Sequence, residues 1–291
     1  MASSPSKPSN VSAAAASPDL ARAEAAIAAA RGFSVHVLHD TADTFAYVAV
    51  GRGLLPLELA DAAWAEASVP AHEAAQIVDG SLATSSGPMA WSQDEVTVGG
   101  RVVREPRLTA FLASAADVVY TYSGKANLGR AFPPAVSAVR AWLADALERG
   151  DDEYWNACLA NCYIDGSQAV GWHSDAEDDL VPGSPIVTVS LGATRGLHFR
   201  SRAASDLFVA QNDARHARKH RPLTAAEAEV LATPTPTDLV LDLAHGDVLI
   251  MGGMTQSLFR HRLVRDADCH LPRIVLTFRA VVPSALAPPP L

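Results

Sequence analysis

The chain has 291 residues, is 49% hydrophobic and carries a formal net charge of −9. The length suits one large domain or two small ones, and the composition supports a packed core and excludes a low-complexity chain. The charge excludes a protein that attracts polyanions by its overall field, so any nucleic-acid contact must come from a local basic patch. Three cysteines, Cys158, Cys162 and Cys269, form no CxxC pair, which argues against a disulfide framework and fits a reducing compartment. No stretch is long and apolar enough to span a bilayer.

Residues 1–17, rich in Ser, Ala and Pro, read as a disordered tail. The tail has no apolar core for a secretory signal; an organelle-import signal stays open, although Lys7 is its only base. "SPDLARAEAAIAAARG" reads as a helix begun near Ser17 or Asp19 and ended at Gly32. "FAYVAVGRGLL" reads as a strand and turn, and "PLELADAAWAEASV" as a helix with Pro56 in its first turn. "EVTVGGRVVREPRLTAFLA" reads as a hairpin around Gly99-Gly100, "VVYTYSG" as a short strand, and "FPPAVSAVRAWLADALERG" as a helix ended by Gly150. Beyond residue 150 short strands follow one another, separated by Gly, Pro and Asp turns, so the class is α+β with a β sandwich or barrel. The expected organisation is a tail (1–17), a helical extension (18–150) and a β core (151–291). A polar piece at about 202–236 interrupts the strands as an insertion or lid loop, and it holds the densest basic run, "RHARKHR".

Chemistry concentrates in three stretches. In "GWHSDAEDDL", His173 and Asp175 are two apart; on a strand they share a face and offer one imidazole nitrogen and one carboxylate oxygen to a common point. A further histidine from a distant strand completes a facial triad with open positions, the arrangement of non-haem Fe(II) oxygenases. His261, His245 and His198 are the candidates, and a solvated acidic turn is the alternative. In "PRIVLTFRA", Arg273, Val275, Thr277 and Arg279 alternate onto one face. That face is either a solvent stripe or a clamp for a dicarboxylate such as 2-oxoglutarate, since an Arg fork binds a carboxylate by two charge-assisted bonds. In "NCYIDG", Asn161 and Tyr163 share a face and either complete such a clamp or serve as a turn Asn and a core Tyr.

The ordered set "REPRLTAF … YTYSG … NCYIDGSQAVGWHSDAED … GSPIVTVSLGATRGLHFR … LAHGDVLIMGGMTQSLFRHRLV … PRIVLTFR" resembles the AlkB family of Fe(II)/2-oxoglutarate dioxygenases, most closely its nucleic-acid alkylation-repair branch. The resemblance runs from Pro106 to Arg279. It implies a double-stranded β-helix (jelly-roll) core with N-terminal helices and a nucleotide-recognition lid. It makes His173, Asp175 and His261 the iron ligands and Asn161 and Tyr163 the 2-oxoglutarate contacts. Arg273 falls on the distal carboxylate and Arg279 near the proximal one. Glu177 is placed beside the substrate base, and Tyr120, Tyr122 and Ser123 in the lid. Two features depart from the family. Val275 stands where an Asn is usual, which removes one polar contact worth about 1 kcal/mol from the clamp face; the piece at 202–236 is the other.

The activity so implied is oxidative demethylation of 1-methyladenine- and 3-methylcytosine-type bases in DNA or RNA, with Fe(II), O₂ and 2-oxoglutarate, giving formaldehyde, succinate and CO₂. Such bases are cationic and pair poorly, so single-stranded or locally unpaired substrate is expected. Arg215, Arg218, Lys219 and Arg221, with Arg101, Arg104 and Arg107 as a second set, are the candidates for phosphate contact; a solvated helix face is the alternative for the first set. A monomer in nucleus or cytoplasm, without membrane contact, is expected. The charge of −9 gives weight to an alternative, a 2-oxoglutarate dioxygenase acting on a protein or other non-nucleic-acid substrate.

Overall fold

The computed structural model describes residues 17–98, 101–122, 125–234, 236 and 238–283. Residues 1–16 of the expected tail, the Gly99-Gly100 turn, Ser123 and the side chain of Tyr122 lie outside the described residues.

In chain order the elements are α1 (Pro18–Ala30), β1 (Ser34–Asp40), β2 (Phe45–Gly51), α2 (Leu57–Ala67), α3 (Ala71–Asp79), β3 (Glu95–Val98), β4 (Arg101–Arg104), β5 (Leu108–Ala113), β6 (Val119–Tyr122), β7 (Lys125–Leu128) and α4 (Pro134–Ala146). There follow β8 (Ala157–Tyr163), β9 (Val170–His173), β10 (Ile186–Gly192), β11 (Arg195–Ser201), α5 (Arg202–Ala217), α6 (Ala225–Ala232), β12 (Leu239–Leu243), β13 (Val248–Gly253), α7 (Thr255–Leu258), β14 (Phe259–Leu263) and β15 (Arg273–Arg279). Two antiparallel sheets dominate. One has seven strands in the order β1-β2-β13-β10-β15-β8-β5; the other has four, β12-β11-β14-β9. Two stacked antiparallel sheets flanked by helices agree with the jelly-roll core that the resemblance implies.

The large sheet sorts its residues by strand alternation. On β15, Ile274, Leu276 and Phe278 enter the main core, as do Cys158, Ala160 and Cys162 of β8 and Val187, Val189 and Leu191 of β10. That face is covered by helices. α1 contributes Ala21, Ala25 and Ala28, and α4 contributes Val136, Val139 and Leu143, at spacings of three and four that put one stripe of each helix on the sheet. Burying each Leu or Val of such a stripe stabilises the fold by about 1.5–3 kcal/mol. The opposite face meets the small sheet. Val48, Val50, Phe199, Leu241, Leu249 and Met251 form a second, inter-sheet cluster. Gly192 ends β10 with φ +81°, and a Cβ there would lie 2.5 Å from the Pro272 carbonyl oxygen and from the Trp64 ring, so only glycine fits this close crossing.

Three expectations change. The large sheet takes β1, β2 and β5 from the first 150 residues and pairs β2 with β13 and β5 with β8, so residue 150 is not a break between an extension and a core. Residues 202–236 are not a lid loop but mostly a helical pair. α5 is capped by Ser201, whose side chain accepts from the Ala204 N–H, and α6 by a Thr224/Glu227 capping box. α3 and β1 also form where no element was expected. β1 is an edge strand whose burial alternates irregularly, which is why its period is weak.

A candidate metal centre between the sheets

Where the two sheets diverge they enclose a cleft. The residues of β8 and β15 that alternate away from the main core face it: Leu159, Asn161, Tyr163, Arg273, Val275, Thr277 and Arg279. The arginine face of β15 is therefore not a solvent stripe. Across the cleft stand His173 and His261. They are register partners on β9 and β14, with ring centroids 4.2 Å apart. Asp175 completes the group; one ligand atom from each of the three residues lies within 4.8 Å of the others, the one such cluster among the described residues.

The local reason for this convergence differs from the one expected. β9 ends at His173, so Asp175 does not share a strand face with it. Asp175 is placed from outside: its backbone N–H donates to Gln256 Oε1 at 3.0 Å, on the single-turn helix α7, and its Oδ2 accepts from Arg279 Nη2 at 2.9 Å. Burial pushes the Asp175 carboxyl up, but Arg279, His261 and His173 outweigh it and bring it down to about 2. Burial, reinforced by His173, pulls His261 down to about 3, so it stays neutral with a lone pair to offer. The His173 Nδ1 lies 2.9 Å from the Gly171 carbonyl oxygen; the carbonyl accepts, so Nδ1 carries a proton and Nε2 is the nitrogen turned to the cluster, 3.8 Å from Asp175 Oδ1. Two imidazoles and one ionised carboxylate on one side of a cleft are the donor set that suits Fe(II) with open positions. The residues thus fit the metal.

The remaining cleft groups favour an anion. Arg273 is 1% exposed; its Nη1 donates to the Ala193 and Leu243 carbonyls at 3.0 and 2.6 Å and its Nη2 to Ser190 Oγ at 2.7 Å. Its Nε has no partner among the described residues, nor has that of Arg279. Burial brings Arg273 down to about 10, which leaves it charged at neutral pH. Arg279 is held above its ordinary value because Asp175, Tyr120 and Glu177 outweigh burial. Of the three buried guanidiniums lining the cleft, Arg107 is paired with Glu105, and Arg273 and Arg279 against the one carboxylate of Asp175 leave positive charge for a dicarboxylate to answer.

Several expected residues lie elsewhere. Tyr120 is fully buried and stacks on Phe111 at 5.6 Å, with the Arg279 guanidinium 5.1 Å from its ring. It supports the site from beneath rather than covering it as a lid, because Val118, Leu159 and Val281 enclose it in an apolar cluster. Arg107 is not on the surface. It is buried, lines the cleft, and pairs with Glu105 at 3.0 Å. Glu177 is half-buried near Asp175, Arg279 and Tyr120, and its carboxyl is raised by burial and by Asp175. Asp179 is more than a solvated turn residue, since it accepts from the Thr121 N–H at 2.7 Å. His245 accepts from the Gly192 N–H at 3.0 Å and pairs with Asp61; His198 lies beside Arg262 and Asp238. Neither joins the cluster. Gln256 and Ser190 were not foreseen; an amide and a hydroxyl in loop-like or apolar context carry no sequence signal.

Comparison with known proteins agrees with this geometry. Residues 61–279 match the model of the 2OG-Fe(II) oxygenase superfamily. The chain is 31% identical over 190 residues to the DNA oxidative demethylase ALKBH2 of Mus musculus, covering 65% of this chain and 68% of that protein. It is 30% identical over 187 residues to the Homo sapiens protein of the same name, covering 64% and 61%. It is also 29% identical over 185 residues to alpha-ketoglutarate-dependent dioxygenase alkB homolog 3 of Mus musculus, covering 64% and 55%. The chain thus spans between about half and two thirds of the length of these relatives. With the His-Asp-His cluster and the arginine-lined cleft in place, the chain belongs to the AlkB family of 2OG-Fe(II) oxygenases.

Proposed function

We propose that the chain oxidatively removes N-alkyl groups from 1-methyladenine- and 3-methylcytosine-type bases in DNA or RNA, consuming O₂ and 2-oxoglutarate and releasing formaldehyde, succinate and CO₂. The observation that carries the substrate class is Glu177, a half-buried acid on the metal-ligand loop, set among Asp175, Arg279 and Tyr120. An acid close to the metal ligand Asp175 favours a cation, and these lesions are cationic bases that leave the stack at low cost. The names of the ALKBH2 relatives support the same class.

In this reading His173, Asp175 and His261 would hold Fe(II), which when bound supplies O₂ activation and oxidation of the substrate methyl group. Arg273 binds the far carboxylate of 2-oxoglutarate, and Asn161 and Tyr163 supply hydrogen bonds. Arg279 keeps Asp175 ionised and lies on the side of the near carboxylate. The substrate is single-stranded or locally unpaired. Its phosphates meet Arg215, Arg218 and Lys219, exposed at the end of α5, and Arg101 on β4. Arg221 is set apart because Glu227 takes both its terminal nitrogens, at 2.9 and 2.6 Å. The enzyme acts as a monomer, in nucleus or cytoplasm.

The test is formaldehyde release from single-stranded DNA and RNA oligonucleotides carrying one 1-methyladenine, beside an N-methylated peptide at equal concentration. Release from an oligonucleotide and none from the peptide is expected. Release from the peptide alone would replace this reading with a protein demethylase.

A further inference from the structure

Arg107 immediately precedes β5 and is 5% exposed. Its Nε donates to Asn161 Oδ1 at 2.6 Å and its Nη2 to Glu105 Oε1 at 3.0 Å; the Thr109 hydroxyl donates to the other Glu105 oxygen at 3.2 Å. These side chains form a buried network that ends at the cleft, which both Arg107 and Asn161 line.

The two ends of an asparagine amide are chemically opposite, one accepting and one donating, while a guanidinium only donates. The amide oxygen of Asn161 must therefore face Arg107, and its NH₂ group turns the other way. The strand neighbours do not compete for this choice. Val275 lies opposite Asn161 on β15 and has no polar atom; Thr109 lies opposite on β5 and turns its hydroxyl to Glu105. Without Arg107 the amide would rotate between two near-equal orientations, one of which presents a carbonyl oxygen to an anion.

We propose that Arg107 is a positioning residue for the cosubstrate: it orients the Asn161 amide so that an N–H donor, not the carbonyl, meets a carboxylate oxygen of 2-oxoglutarate. Arg107 thus takes up, from the β5 side, an orienting task that Val275 cannot perform from the β15 side. The proposal rests on 2-oxoglutarate as cosubstrate and is independent of the nucleic-acid substrate.

The experiment is titration calorimetry of 2-oxoglutarate into Mn(II)-loaded protein under argon, which needs neither turnover nor nucleic acid. Arg107→Lys keeps a charge for Glu105, but one ammonium does not span both partners. It and Asn161→Ala should each weaken binding about tenfold, the loss of one hydrogen bond to a charged group. The double variant should bind within about twofold of Asn161→Ala alone, because Arg107 acts through Asn161. Asn161→Asp, which still accepts from Arg107 but turns a second oxygen to the cleft, should weaken binding further than either. Additive losses in the double variant, or wild-type affinity in Arg107→Lys, overturn the proposal. Should Arg107→Lys fail to fold, Asn161→Asp decides alone: wild-type affinity there overturns it. Normal 2-oxoglutarate binding with no nucleic-acid demethylation contradicts the substrate reading and leaves the role of Arg107 standing.

Discussion

Arg279→Met isolates the ion pair beneath the metal site. Both side chains of the Arg279–Asp175 pair are nearly inaccessible, 3% and 5% exposed, and the Nη2–Oδ2 distance is 2.9 Å. At an effective dielectric of about 20 this separation gives an attraction of about 6 kcal/mol. Methionine fills much of the volume but leaves Asp175 buried and uncompensated, a change that costs about 3–5 kcal/mol. The metal-free variant should therefore lose about that much stability in urea denaturation followed by circular dichroism. A divalent cation at Asp175 supplies the missing positive charge, so saturating Mn(II), without 2-oxoglutarate, should stabilise the variant by more than it stabilises the wild type. A loss under about 1 kcal/mol, or an equal response of the two proteins to Mn(II), would refute the assignment of Arg279 as the counter-charge of the metal ligand.

Other consequences are independent of that pair. Gly192→Ala combines a left-handed backbone with contact on Pro272 and the Trp64 ring, so it should destabilise by about 2–4 kcal/mol in the same assay. Val275→Asn adds a polar group beside Asn161 and should tighten 2-oxoglutarate binding up to about fivefold by calorimetry; weaker binding would mean that the apolar neighbour is required. Burial pushes the thiols of Cys158 and Cys162 up to about 12, whereas Cys269 is half-buried. One thiol per native chain should react rapidly with a disulfide reagent at pH 8, and two only on unfolding. The two raised thiols ionise more readily in the unfolded chain, so their contribution is intact below pH 9 and lost as pH rises from about 9 to 12, seen as a falling melting temperature. Reversing Arg218 and Lys219 to Glu should weaken oligonucleotide binding and flatten its salt dependence; an unchanged slope removes α5 from the nucleic-acid surface.

Alternation made β15 and β8 legible, because a strand with one face in a helix-covered core and the other in a cleft writes its two roles on odd and even positions. Arg273 and Arg279 beside Ile274, Leu276 and Phe278 could be sorted without coordinates. Spacing singles out His173 and Asp175 by implying a shared strand face, but β9 stops at His173. What carries Asp175 to the metal is Gln256, 81 residues away, a tertiary contact that periodicity does not encode. Residue type puts Arg107 on the outside as a phosphate ligand, and the family resemblance puts Tyr120 in the lid. Their burial depends on Glu105 and Phe111 and becomes visible only once β5 and β6 are placed. The Thr224-x-x-Glu227 box was present in the sequence and marks a helix start; the polar composition around it pointed to a loop instead.

The measurement closest to the central claim follows both halves of the reaction in one tube. Purified protein, Fe(II), ascorbate, 2-oxoglutarate and a single-stranded oligonucleotide with one 1-methyladenine are mixed, and mass spectrometry counts methyl groups lost and succinate formed, for the wild type and for His173→Ala. One succinate per methyl group lost in the wild type, and neither product in the variant, is the result expected from a His173–Asp175–His261 metal centre acting on alkylated bases. Succinate without methyl loss would contradict the substrate, and methyl loss that survives His173→Ala would contradict the metal centre.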